Sequence, residues 1–212
     1  MVKNLILDWS GTLVDDLGAT LVATNQVFAH HGLAPFDLEG FRRDFRLPYP
    51  EFYEEFLPDI PLSQLEDLFR SSFFDAEHLV VPLPNTRIFL AHAAMRGVRL
   101  FVLSSMNEEA LTRQAEAFGL APSFEGVEAG VLDKRTRMTA MVTRYELDPR
   151  ETAYVGDMVH DVEAARSAGL HAIAVLSGYD PVERLAAAEP DLIAPHVGKL
   201  LPLLDSIAEK PI

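Results

Sequence analysis

From residue 87 to residue 176, short apolar runs alternate with stretches of helical periodicity. That alternation points to a parallel sheet covered by helices on both faces. A helix over 87–97 leads to a strand over 98–103, and a helix over 108–118, ended by Gly119, leads to a short strand near Val127. A helix over 135–146 precedes a strand over 153–155, and a helix over 162–168, ended by Gly169, precedes a strand over 172–176. The run Leu5-Ile6-Leu7 supplies one more strand near the amino terminus. Residues 16–84 break the rhythm. They carry helical patterns at 17–31, 37–45, 51–56 and 62–78, jointed by Pro35, Pro48, Pro50, Pro58 and Pro61, and no strand is expected among them. The expected organisation is an α/β core of residues 1–15 and 85–212, with a helical cap inserted at 16–84.

Open sheets of this kind bind ligands beyond the carboxyl ends of their strands, so the residues there carry the functional information. Asp8 closes the first apolar run and opens the string Asp8-Trp9-Ser10-Gly11-Thr12-Leu13, a carboxylate at the mouth of a buried strand just before a glycine turn. The run Ala153-Tyr154-Val155-Gly156 ends on Asp157, with Asp161 four residues on. Two strand ends therefore offer acids to one metal ion, although Asp157 and Asp161 taken alone read equally well as a turn and a helix cap. Ser104 ends a third run, and Ser105 and Asn107 follow in a loop where capping the next helix is the plainer use. Lys134 is isolated, since the other three lysines are Lys3, Lys199 and Lys210. Trp9, the single tryptophan, reads as a packing residue, and His30 and His31 as a helix end. The seven histidines show no ligand spacing, and only His160 falls near an acid of interest.

A formal net charge of −14 works against nucleic-acid and anionic-membrane partners, so an anionic substrate needs a local cationic site. The absence of cysteine excludes disulfides, thiolate metal sites and cysteine nucleophiles. The start Met1-Val2-Lys3-Asn4-Leu5 shows neither signal peptide nor membrane span, and a cytoplasmic location is expected.

These strings, in this order, resemble the motifs of the haloacid dehalogenase superfamily, whose first motif reads Asp-x-Asp-Gly-Thr and whose fourth reads Gly-Asp-x-x-x-Asp. The resemblance spans nearly the whole chain and is closest to its phosphoglycolate-phosphatase-like members. It implies a Rossmann-like core with a helical cap of the first (C1) type, closing over the active site. It also implies a phosphohydrolase acting on a small phosphorylated metabolite. By that resemblance Asp8 is the nucleophile, forming a phosphoaspartate. Ser104 donates to a phosphoryl oxygen, and Lys134 keeps Asp8 ionised and offsets transition-state charge. Mg²⁺ is held by Asp8, Asp157 and the Ser10 carbonyl, with Asp161 a ligand directly or through water. Gly11 and Thr12 shape the phosphate cradle, and Ser105 and Asn107 add donors. From the cap, Arg46 and Tyr49 are the candidates for contacting the leaving group, with Arg42 and Arg46 sharing a helix face if that helix extends so far.

Ser10 stands where family phosphatases carry the second aspartate, which protonates the leaving oxygen and later activates water. A serine hydroxyl cannot do this alone, and general acid–base catalysis is typically worth about 10²- to 10⁴-fold, so a slow hydrolase is one expectation. A weakly catalytic phospholigand-binding or regulatory protein is the alternative, and phosphoryl transfer to an acceptor other than water is a third. Phosphonoacetaldehyde hydrolases carry the similar string Asp-Trp-Ala-Gly-Thr but need a cap lysine, and no lysine occurs between Lys3 and Lys134.

Overall fold

The computed structural model describes residues 2–205. Its centre is a sheet of six parallel strands. These are β1 (Asn4–Leu7), β4 (Arg99–Leu103), β5 (Gly126–Glu128), β6 (Thr152–Gly156), β7 (His171–Val175) and β8 (Leu192–Ala194), in the order β5-β4-β1-β6-β7-β8. A short ribbon made of β2 (Val14–Asp15) and β3 (Val81–Pro82) stands apart from it. The chain runs outward from β1 through β4 to β5, then crosses back to β6 on the other side of β1. The order therefore reverses around β1, and a crevice opens there at the carboxyl ends of the strands.

Alternation along the strands divides the apolar residues between two cores. Leu5, Leu7, Leu100, Val102, Ala153 and Val155 face one way, toward Phe89, Leu90 and Ala93 of α5 (Thr86–Met95) and Leu111 and Ala115 of α6 (Glu108–Ala117). Ile6, Phe101, Leu103 and Tyr154 face the other way. They meet Met138 and Met141 of α7 (Lys134–Arg144), Val162 and Ala165 of α8 (Val159–Ser167) and Leu185 of α9 (Val182–Ala187). Helices thus cover both faces of the parallel sheet. No helix among the described residues is long and apolar enough to cross a membrane.

Four helices lie between the two halves of the ribbon: α1 (Leu17–His30), α2 (Leu38–Asp44), α3 (Tyr49–Phe56) and α4 (Leu62–Ala76). They enclose a separate cluster around Phe28, Phe41, Phe52 and Leu65, which Met158 and Tyr179 join from loops after β6 and β7.

Several boundaries differ from the sequence expectation. The ribbon was not foreseen, because two residues a side, one of them a proline, display no period. Asp133 accepts the Arg135 N–H and starts α7 at Lys134 rather than Arg135. Helix α8 begins three residues earlier than expected, because Asp161 accepts the N–H groups of Asp157 and Met158 and closes its first turn. Helix α2 stops at Asp44 as Phe45 turns extended, so Arg42 and Arg46 share no helix face. The helix expected over 62–78 ends at Ala76 and continues as a 3₁₀ turn, Glu77–Leu79. Strand β8 and helix α9 lie beyond the last elements expected. Lys210 lies outside the described residues.

Candidate active site

Asp8 leaves the end of β1 fully buried, its backbone N–H still in the ladder to Val155 O at 2.9 Å. The Trp9 N–H donates to Asp8 Oδ1 at 2.7 Å, and Lys134 Nζ sits 2.7 Å from Oδ2. Lys134 is the first residue of α7, and its side chain runs entirely inside the protein, where the ammonium also donates to Asp161 Oδ1 at 2.8 Å. The N–H of this residue donates to His160 Nε2 at 3.2 Å, so the imidazole accepts there and carries its proton on Nδ1. Burial holds His160 below the usual imidazole range, in keeping with the neutral ring. His160 is not among the residues lining the cavity, and its place is behind the lysine.

Asp161 is saturated. Oδ1 takes Lys134 Nζ and the Tyr154 hydroxyl (3.0 Å), and Oδ2 takes the N–H groups of Asp157 (3.1 Å) and Met158 (3.0 Å). A carboxylate offers about four lone-pair positions, so none is left for a direct bond to a cation. Asp157 accepts the Thr12 hydroxyl on Oδ1 at 2.9 Å and the Tyr179 N–H on Oδ2 at 2.8 Å, which leaves it spare capacity, as Asp8 has. One oxygen from each of Asp8, Asp157 and Asp161 lies within 4.8 Å of the others, all three residues buried.

The electrostatics leave this cluster short of positive charge. Burial, opposed by Lys134 and reinforced by Asp161, raises the Asp8 pKa to about 6. Asp157 is pushed well above the carboxylate range by burial and then by Asp8 and Asp161. Burial works against the Lys134 ammonium, but Asp161 and Asp8 more than reverse it and hold its pKa above the ordinary lysine value. Three buried carboxylates face one ammonium, and the spare oxygen positions of Asp8 and Asp157 suit a hard divalent cation.

Glycines make room for the acids. A Cβ on Gly11, whose φ is +69°, falls 2.4 Å from Asp157 Oδ2, and one on Gly178 falls 1.9 Å from the same oxygen. Neither position tolerates a side chain while Asp157 stays where it is.

Above this floor a cavity of about 820 Å³ lies between the sheet and the helical segment. Asp8, Ser10, Ser104, Ser105 and Asn107 line its lower side. Ser104 Oγ accepts the Met106 N–H, Asn107 Oδ1 caps α6, and Ser105 Oγ is buried with no hydrogen-bond partner. On the upper side, Tyr49 lines the cavity with its hydroxyl given to Glu66, and Arg70 lies beside it. Arg46 does not line the cavity, because it pairs with Glu55 and donates to the Asp44 carbonyl. Arg42 turns to the Gly178 carbonyl at 2.9 Å and ties α2 to the loop after β7.

Sequence reasoning missed three participants: Asp16, Gly178 and Tyr179. Asp16 is buried, lines the cavity and accepts the Tyr179 hydroxyl at 2.9 Å. Burial, only partly offset by the Ser10 and Tyr179 hydroxyls, lifts its pKa to about 7. A second acid directly after Asp15, and the turn cluster Ser177-Gly178-Tyr179-Asp180 after a strand, were the available signals.

Comparison with known proteins places the chain in a family. A family model described as haloacid dehalogenase-like hydrolase matches residues 5–175. A phosphoglycolate phosphatase of Synechococcus elongatus is 30% identical over 207 residues, covering 94% of this chain and 96% of its own. Among solved structures, a haloacid dehalogenase-like family hydrolase from Streptococcus pneumoniae superimposes with a TM-score of 0.84 at 19% identity, covering 95% of this chain and 98% of its own. CbbY from Rhodobacter sphaeroides, solved in complex with phosphate, gives 0.80 at 20% identity, covering 97% and 100%. At those identities the structural likeness concerns the fold.

Proposed function

The chain belongs to the haloacid dehalogenase-like hydrolases, and from that premise we propose that it is a magnesium-dependent phosphatase acting on a small phosphorylated metabolite. The observation that carries the reading is the buried Asp8, held by Lys134 at 2.7 Å on the floor of a cavity that Ser104 and Ser105 also line. In the proposed reaction an Asp8 oxygen bonds to phosphorus as the bond to the leaving oxygen breaks. Water then attacks phosphorus and the bond to Asp8 breaks, restoring the carboxylate. Lys134 keeps Asp8 ionised for the attack and offsets charge on the phosphoryl oxygens, with its own position fixed by Asp161 and by the start of α7. Ser104 and Ser105 donate to those oxygens.

Magnesium would be held by Asp8, Asp157 and the Ser10 carbonyl, with Asp161, its oxygens filled, holding Lys134 and the loop after β6 in place. When bound it supplies the positive charge that lets an anionic nucleophile approach an anionic phosphate. The helical segment serves as the cap, with Tyr49 and Arg70 toward the leaving group. The net charge of −14 argues against nucleic acid or an anionic membrane as partner.

The test is hydrolysis of phosphoglycolate and of p-nitrophenyl phosphate by the purified protein, with magnesium and with chelator. Turnover should require the metal, and Asp8→Asn should lower it by about 10³-fold or more while the protein stays folded. Equal rates in chelator, or more than about a tenth of the activity left in the variant, would refute the proposal.

A further inference from the structure

The cavity above Asp8 is larger and more apolar than a phosphoryl group on a two-carbon alcohol needs. Its volume of about 820 Å³ falls in the range of about 300–1,000 Å³ that holds drug-sized ligands and buries most of their surface. Asp8 and the serines beside it hold the phosphate end, so the remaining walls face the alcohol. Phe69, Phe73 and Phe74 enter those walls from α4, and Met106 and Leu132 from the loops after β4 and β5. Four residues apart on α4, Phe69 and Phe73 stack with ring centroids 5.8 Å apart. Phe74, one position on, leaves 62% of its surface exposed at the cavity. Apolar area left to water in a concave wall favours an apolar ligand that covers it.

The charge on these walls works against a second anion. Apart from the acids near the floor, Glu66, Asp67, Asp75 and Glu109 line the cavity, against Arg70 and Arg113. Both guanidiniums already face carboxylates. Arg70 lies 3.7 Å from Asp67, and Arg113 donates to Glu77 at 3.1 Å with its guanidinium 5.3 Å from the centre of the Phe74 ring. Tyr49 gives its hydroxyl to Glu66. A carboxylate or a second phosphate on the leaving group would therefore meet an excess of negative charge and donors that are engaged elsewhere.

We propose that the substrate is the phosphate monoester of a neutral alcohol that carries an apolar ring. The assignment rests on the phosphatase reading above and narrows it. The phosphoryl group lies over Asp8, and the ring displaces water from Phe74 and Met106. The carboxylates in the walls turn away esters whose alcohol bears an anion, phosphoglycolate among them.

The experiment uses three esters whose leaving groups are all primary alkoxides, so that ring and charge vary while the chemistry does not: benzyl phosphate, para-carboxybenzyl phosphate and phosphoglycolate. With magnesium, kcat/KM for benzyl phosphate should exceed that for phosphoglycolate by at least about tenfold, the gain expected from burying a ring. The para carboxylate should lower kcat/KM at least about fivefold at low salt, and most of that loss should vanish at about 1 M salt, where screening acts within about 3 Å. Phe74→Ala, at an exposed helix position, should cut the benzyl-to-phosphoglycolate ratio at least about threefold, through KM rather than kcat. Among analogues that cannot be hydrolysed, benzylphosphonate should raise Tm more than phosphonoacetate at equal concentration in excess magnesium. Phosphoglycolate turned over as well as benzyl phosphate, a carboxylate without effect, or a ratio unmoved in Phe74→Ala overturns the proposal and leaves the phosphatase standing. If none of the three esters releases phosphate with magnesium, the phosphatase reading fails instead. The phosphonate pair then decides the ring preference, and a shift from phosphonoacetate as large as that from benzylphosphonate overturns it as well.

Discussion

Replacing Asp8 by asparagine should stabilise the metal-free protein while abolishing its chemistry. Asp8 is buried, and its pKa is raised from 3.8 to about 6 even with Lys134 beside it. A carboxyl group whose folded-state pKa is raised stabilises the fold below its unfolded pKa, and that contribution is lost as pH rises through the folded value. The window is therefore about pH 4 to about pH 6. Above it, ionised Asp8 costs roughly two pKa units at about 1.4 kcal/mol each, or about 3 kcal/mol. Asparagine never takes the charge. In chelator at about pH 7.5, differential scanning fluorimetry should place the variant above wild type by up to about 3 kcal/mol, which for a chain of this size is about 6–12 °C. The gap should close below about pH 4, where wild-type Asp8 is also neutral. Magnesium at 1,000 times Kd should reverse the order, because binding there adds about 4.1 kcal/mol to the protein that binds. A variant less stable than wild type in chelator at neutral pH, or a gap that ignores pH, would show that Lys134 outweighs desolvation and that the argument is wrong.

Gly178→Ala drives a Cβ to 1.9 Å from Asp157 Oδ2, so it should weaken the magnesium-induced shift in Tm and cut turnover by an order of magnitude or more. An unchanged metal titration would mean that Asp157 is free to move. Arg46 is engaged by Glu55 away from the cavity whereas Arg70 lines it. Arg46→Ala should therefore leave KM for phosphoglycolate within about twofold while Arg70→Ala raises it, and the reverse ranking would return Arg46 to the leaving group.

The sequence displays what is local in the chain and hides what folding brings together. Asp8, Ser104 and Asp157 stand at strand ends because short apolar runs announce a parallel sheet, and the crevice of such a sheet lies at those ends. Lys134 was visible by its isolation. Tyr179 was not, since it meets Asp16 across 163 positions and nothing local marks the pair. Asp161 read as ligand or cap, and the fold shows an oxygen pair filled by four donors. Arg46 drew attention as a cation in an acidic chain, but sequence counts charges without their partners, and Glu55 sits nine residues on. Two-residue strands such as β2 and β3 lie below the length at which alternation can be seen.

The ribbon clasps Val14 to Pro82 and Asp15 to Val81, so the chain leaves for the helical segment and returns from it at neighbouring points, about 5 Å apart. Anything whose two ends meet that spacing can be spliced there without redirecting β1 or α5. If that segment is the cap proposed above, selectivity would change by exchange of a whole module, with the chemistry below inherited untouched. The seam has one restriction. Asp16 follows the ribbon immediately, so a splice made before it discards the acid beside Ser10, and a splice made after it hands that acid on to every new lid.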